Sequence, residues 1–132
     1  MTTASQQRLK FRRLVETYAI VKLASDALIP AWATKGEFTS ISRTADELSI
    51  VCPIEHIPAD VHSPHRWTCL KLEGPFPFEL TGVLLSFIKP LSSGGVSIFA
   101  ISTFDTDYVL VQEQTSAQAT TILIGAGHQQ VS

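Results

Sequence analysis

The stretch Ile101-Ser102-Thr103-Phe104-Asp105-Thr106-Asp107-Tyr108-Val109-Leu110-Val111 decides the fold. It reads as two apolar strands meeting at a polar corner, because Asp, Thr and Ser favour tight turns while Tyr and Val favour strands. An echo stands 60 positions earlier in Ile41-Ser42-Arg43-Thr44-Ala45-Asp46-Glu47-Leu48-Ser49-Ile50-Val51. In each copy Ile-Ser opens the segment, an acid stands six residues after the Ile (Glu47, Asp107), and an apolar run closes it. The echo implies a duplicated small unit. On this alignment Arg43, Ala45 and Glu47 replace Thr103, Asp105 and Asp107.

Working outward, Trp67–Leu72 is a strand ending in Lys-Leu, as the second part of Leu14–Leu23 is before it. Leu80, Val83, Leu84, Phe87, Ile88 and Leu91 recur at i, i+3, i+4, i+7, i+8 and i+11, the stripe of an amphipathic helix, and Gly94-Gly95 ends it. Val96–Ile101 is almost wholly apolar, which predicts a strand buried on both faces. Tyr108–Val111 is the next strand. Thr115 or Ser116 caps a second helix with Ala119, Ile122, Leu123 and Ala126 on its apolar face, and Gln129–Ser132 is at most a short final strand. The second half therefore reads β-α-β-β-α-(β), the ferredoxin-like order. The first half keeps the plan with stunted helices: Phe38–Arg43 and Glu47–Val51 form a hairpin, and Pro53, Pro58 and Pro64 interrupt the segment between that hairpin and Trp67. The predicted class is α+β: two tandem ferredoxin-like units, 1–63 with reduced helices and 64–132 complete, packed as one globule.

Composition narrows function. With 132 residues, 45% hydrophobic, the chain can fill a core. A net charge of −2 gives no basic field for nucleic acid. The basic run Gln7–Arg13 reads as a solvated arm. No apolar run approaches the ~20 residues of a membrane helix, and Met1–Ser5 lacks a signal-like apolar run, so the expected location is the cytoplasm. Cys52 and Cys69 fit no metal or redox spacing and read as buried free thiols. His62 and His65 are separated by Ser63-Pro64, which prevents helical pairing, and His56 and His128 read as exposed loop residues. Neither a metal nor a cofactor is expected. Nucleophile elbow, activated Cys and phosphate loop are all missing, so the chain reads as no enzyme.

Three further segments carry a resemblance: Phe76-Pro77-Phe78-Glu79-Leu80-Thr81-Gly82-Val83-Leu84, Lys89-Pro90-Leu91 and Ile98–Val111. Over Trp67–His128 the chain resembles the ACT domain family. Within it, the branch of small bacterial tandem-ACT proteins and of the eukaryotic cytosolic arginine sensor is most similar; Ile29-Pro30-Ala31-Trp32 and Arg43–Pro53 resemble stand-alone bacterial members. The resemblance implies a regulatory module, working as a dimer, that binds an amino acid. It implies a ligand site formed by Phe78, Glu79, Leu80, Thr81 and Gly82 at the first helix, met by Ser102, Thr103, Phe104, Asp105 and Asp107 of a neighbouring corner. In the arginine sensor an acid at the position of Asp107 contacts the ligand. The family signature has Pro where this chain has Thr81.

The chemistry of these residues agrees. A helix N-terminus offers unpaired N–H groups to a carboxylate, and Asp105 and Asp107 offer charge to an ammonium or guanidinium group. Turn formation alone accounts equally for Asp105-Thr106-Asp107, and close helix–strand packing for Thr81-Gly82. Two other readings stand beside the sensor: a ligand-free dimeric module that regulates a partner enzyme, and a small enzyme on the same scaffold.

Overall fold

The computed structural model describes residues 7–76 and 82–132. The protein is α+β, consistent with a ferredoxin-like fold. Its strands are β1 (Lys10–Leu23), β2 (Ser40–Arg43), β3 (Leu48–Pro53), β4 (Trp67–Leu72), β5 (Ile98–Ser102), β6 (Asp107–Gln112) and β7 (Gln129–Val131). The helices are α1 (Val83–Ser93) and α2 (Ser116–Gly125). Two compact units share the chain: one holds residues up to Leu14 together with Cys69–Ser132, the other Val15–Thr68. This spatial division differs from the sequence halves 1–63 and 64–132, because the first residues of β1 belong with the second half of the chain.

In the unit containing Cys69–Ser132, the order β4-α1-β5-β6-α2-β7 is the expected one. Its strands lie side by side as β1-β4-β6-β5, with β7 on β1 in parallel register, Lys10 opposite Gln129 and Phe11 opposite Gln130. The Gln7–Arg13 run is thus largely strand rather than a solvated arm. Its charged residues alternate with Leu9 and Phe11, which are buried, and alternation lets a strand keep its cations in water while its apolar face joins a core. That core collects Phe11, Leu70, Leu72, Val109 and Val111 beneath Phe87, Leu91 and Leu123 of the helices. Phe11 meets Phe87 edge to face at 5.3 Å, a favoured aromatic geometry. β5 ends the strand order, and Ala100 is exposed. The expectation of a strand buried on both faces is therefore corrected: apolar composition alone does not distinguish an edge strand covered on one side from a central one.

Both helices end in the same way. In α2, the N–H of His128 bonds Leu123 O and that of Gly127 bonds Ile124 O, with Gly127 at φ 99°. This is a Schellman closure, which requires the left-handed residue that glycine supplies. The closure turns His128 inward to 4% exposure. His128 is therefore a core residue and not the exposed loop residue expected; its backbone is the apolar-partner position of the motif. The imidazole Nδ1 accepts the N–H of Leu9 at 3.1 Å, and Nε2 donates to Ser86 O at 2.9 Å. Pro90 lies inside α1 and has no N–H, so Ser86 O lacks its helical donor four residues on. His128 supplies the replacement.

In the unit Val15–Thr68, β3 pairs antiparallel with both β1 and β2. Helices are reduced to 3-10 turns at Ala31–Thr34 and Ile54–His56. Ala19, Val21, Leu48, Ile50 and Cys52 form its core with Ala33. Cys52 and Cys69 are both buried and form no disulfide, and burial pushes the Cys52 thiol up from 9.0 to about 11. No helix among the described residues is long and apolar enough to cross a membrane.

Candidate functional site

Two elements hold the expected site residues. Gly82 stands immediately before α1 with φ 76°, and its carbonyl accepts the first helical bond, from Ser86 N–H at 2.9 Å. Phe78, Glu79, Leu80 and Thr81 lie outside the described residues, as does the Leu80 end of the apolar stripe. The second element is the corner between β5 and β6. Ser102 and Asp107 face each other across the last register position, and the Ser102 hydroxyl donates to Asp107 Oδ1. Between them Thr103 closes the turn: its N–H and its hydroxyl both donate to Thr106 O, at 2.8 and 3.0 Å. Ser102, Thr103, Phe104 and Asp105 are exposed, Phe104 at 77%.

The corner is fixed to the segment that leads from β4 towards α1. The buried hydroxyl of Thr106 donates to Leu72 O at 2.7 Å, and Phe76 N–H donates to Asp105 O at 2.9 Å. Gly74 makes this approach feasible: a Cβ there would sit 2.9 Å from Asp105 O, closer than real contacts allow. Thr106, Gly74 and Phe76 were not among the expected site residues. Their roles are backbone docking, which side-chain chemistry read from a sequence does not reveal.

The corner between β2 and β3 repeats the pattern. Thr44 N–H donates to Glu47 O at 2.9 Å, and Glu47 N–H reaches Thr44 Oγ1 at 3.1 Å. Thr106 N–H approaches Thr103 Oγ1 at 3.4 Å in the same way. Arg43 faces Leu48 across the last register position, as Ser102 faces Asp107. The geometric equivalence is therefore Thr44 with Thr103, 59 positions apart, and not the 60 of the Ile-Ser echo. The substitution read from the sequence is corrected by one place. Arg43 stands for Ser102, Asp46 for Asp105, and buried Leu48 for Asp107. Hydrogen-bonded turns align by their closing residues, whereas the Ile-Ser match aligned by composition.

A groove of about 330 Å³ is lined by Ser86, Lys89, Pro90, Ser93 and His128 among others. In Val15–Thr68, Glu16, Glu55 and His56 bring their ligating atoms within 4.8 Å of one another. His56 Nε2 is 3.9 Å from a carboxylate oxygen of each Glu, while Glu16 Oε1 accepts the N–H of Glu37 at 2.9 Å. Arg66 lines the adjoining groove with Glu16 and Glu55.

Comparison with known proteins places these elements. A family model for an N-terminal domain matches residues 16–60, and the model described as the ACT domain matches residues 62–124. A crystal structure of a protein from Agobacterium tumefaciens is 46% identical and superposes with a TM-score of 0.89, covering 95% of this chain and 93% of that one. A Vibrio cholerae protein of unknown function is 20% identical with a TM-score of 0.76, over 91% of both chains. Aspartokinase alpha and beta subunits are 14% identical with a TM-score of 0.58, over 91% of this chain and 98% of that one. These last two show the shared fold alone. The human protein CASTOR3P is 29% identical over 91 residues, 59% of this chain, and the chain spans 56% of that relative's length. Residues 62–124, within which Ser102–Asp107 and the start of α1 fall, match the ACT domain family.

Proposed function

We propose that this is a non-catalytic regulatory protein whose ACT domain binds an amino acid beside the start of α1 and the β5–β6 corner. Gly82 offers a helix start to the ligand carboxylate, since the first N–H groups of a helix have no partner within it. Asp105 and Asp107 supply the negative charge for its ammonium or side-chain cation, with Ser102 and Thr103 as hydroxyl partners. Phe78, Glu79, Leu80 and Thr81 complete the site on sequence grounds. The observation that carries this reading is the docking of the corner onto the segment after β4. The Phe76–Asp105 and Thr106–Leu72 bonds anchor the corner, while the side chains of Ser102, Thr103 and Asp105 remain exposed.

The same reading makes the chain a tandem pair, 1–63 and 64–132 by sequence, because both halves use one corner geometry. It places the protein in the cytoplasm as a homodimer, the exposed edge of β5 being a surface that a two-fold partner can cover. A second reading, a ligand-free module that docks on an enzyme, is favoured by Phe104, a large aromatic at 77% exposure on the corner itself. Isothermal calorimetry and thermal shift against the twenty amino acids separate them. A saturable heat with one amino acid supports the sensor; no heat and no shift with any of them rejects it.

A further inference from the structure

Arg43 opens the β2–β3 corner, and its guanidinium reaches back to the segment after β1. Nη1 donates to Ser25 O at 2.5 Å and Nη2 to Ala27 O at 2.7 Å. Two carbonyls two residues apart thus receive the two arms of one planar fork, the arrangement that suits guanidinium and not a single-point ammonium. The corner behind Arg43 is the counterpart of the corner behind Ser102. The segment it reaches is a counterpart too: Lys22-Leu23 ends β1 as Lys71-Leu72 ends β4, 49 positions apart, which sets Ser25 and Ala27 against Gly74 and Phe76. Where one unit has a long cationic side chain, the other has a serine whose hydroxyl is spent on Asp107. The position of Asp107 is held in the first unit by Leu48, which is fully buried and offers no charge.

We infer that Arg43 is a tethered guanidinium filling, from the chain itself, the place in Val15–Thr68 that corresponds to the ligand place beside Ser102. The chain then has one open amino-acid site, in the Cys69–Ser132 unit, and one self-filled counterpart. The single open site rests on the function proposed above; the self-filling rests on the Arg43 geometry alone. Removing the side chain while leaving the carbonyls uncovers a guanidinium-sized acceptor pair.

Chemical rescue tests this. N-ethylguanidinium is titrated into Arg43→Ala, and into Arg43→Ser, which copies the residue at 102. Either variant, shown folded by circular dichroism, is expected to bind one N-ethylguanidinium per chain in the millimolar range. At about 20 mM it should rise in Tm by roughly 2–5 °C, while the wild-type chain stays unshifted. Two folded variants that both ignore the ion, or a wild-type chain that responds as they do, would overturn the assignment. Ser102→Arg gives the reciprocal result: a guanidinium placed at the open site should abolish the amino-acid heat of the wild-type chain. Retention of that heat rejects the correspondence between the two places. A wild-type chain that binds no amino acid removes the proposed function but leaves the rescue experiment intact.

Discussion

His128 Nε2 and the carbonyl of Ser86 lie 2.9 Å apart, and the bond exists because Pro90 cannot donate to that carbonyl. A proline within a helix normally leaves a cost in its first neighbour turn. Here an imidazole from the end of α2 absorbs it, and its second nitrogen satisfies Leu9 N–H.

His128→Ala should therefore destabilise by about 2–4 kcal/mol, since two buried backbone groups lose their partners at ~1–3 kcal/mol each. Urea unfolding checks it. In a Pro90→Ala background the loss should shrink by about 1 kcal/mol, because residue 90 then donates to Ser86 O. An additive double-mutant cycle would contradict the account.

Asp107→Ala should weaken the amino-acid ligand by about 1.5–3 kcal/mol, the value of a charge-assisted hydrogen bond, read by calorimetry. Ser102→Ala removes the intramolecular donor to Asp107 and leaves the charge. It should change affinity by less than about 1 kcal/mol. Equal losses in both variants would assign Asp107 to the turn and not to the ligand.

Gly74→Ala puts a methyl 2.9 Å from Asp105 O. The corner has to move, at about 1–3 kcal/mol of stability, and ligand affinity should fall with it. The amide signals of Phe76 and Thr106 report the displacement directly.

Cys52 gives the pH dependence. Its folded-state pKa, about 11, exceeds the ordinary 9.0. The thiol form is favoured by the fold, so the associated stability is full below pH 9 and declines as pH rises towards 11. The total is on the order of 3 kcal/mol, at about 1.36 kcal/mol per unit. Urea melts from about pH 8 to 11 should show this slope, and Cys52→Ala should flatten it. In the folded protein Cys52 should resist alkylation at about pH 8.

The second half was legible because its signals are local. The i, i+3, i+4 stripe marks α1 with Val83, Phe87 and Leu91 buried, and Gly94 closes it. The polar corner lies where Ser, Thr and Asp place it. Two things escaped for one reason: they depend on partners far along the chain. Phe11 becomes core only because it is roofed by Phe87, so a charged N-terminal run looks like an arm. His128 is buried through Leu9 and Ser86, over sequence separations of 119 and 42. The one-residue slip between the two corners arose because Ile-Ser is a compositional match, and only closing hydrogen bonds define a turn.

β1 carries a consequence for the order of folding. Lys10, Phe11 and Arg12 pair with Gln129, Gln130 and Val131, so β1 acquires this neighbour only when residues 129–131 exist. The Val15–Thr68 hairpin has every pairing partner within its own stretch and can form early on the ribosome. Residues 9–14 then keep their apolar face uncovered until Phe87 is made, and Lys10–Arg12 wait about sixty residues beyond Thr68 for their β7 partner. Loop closure of that length is slow, and Leu9 and Phe11 are where a chaperone would find the nascent chain.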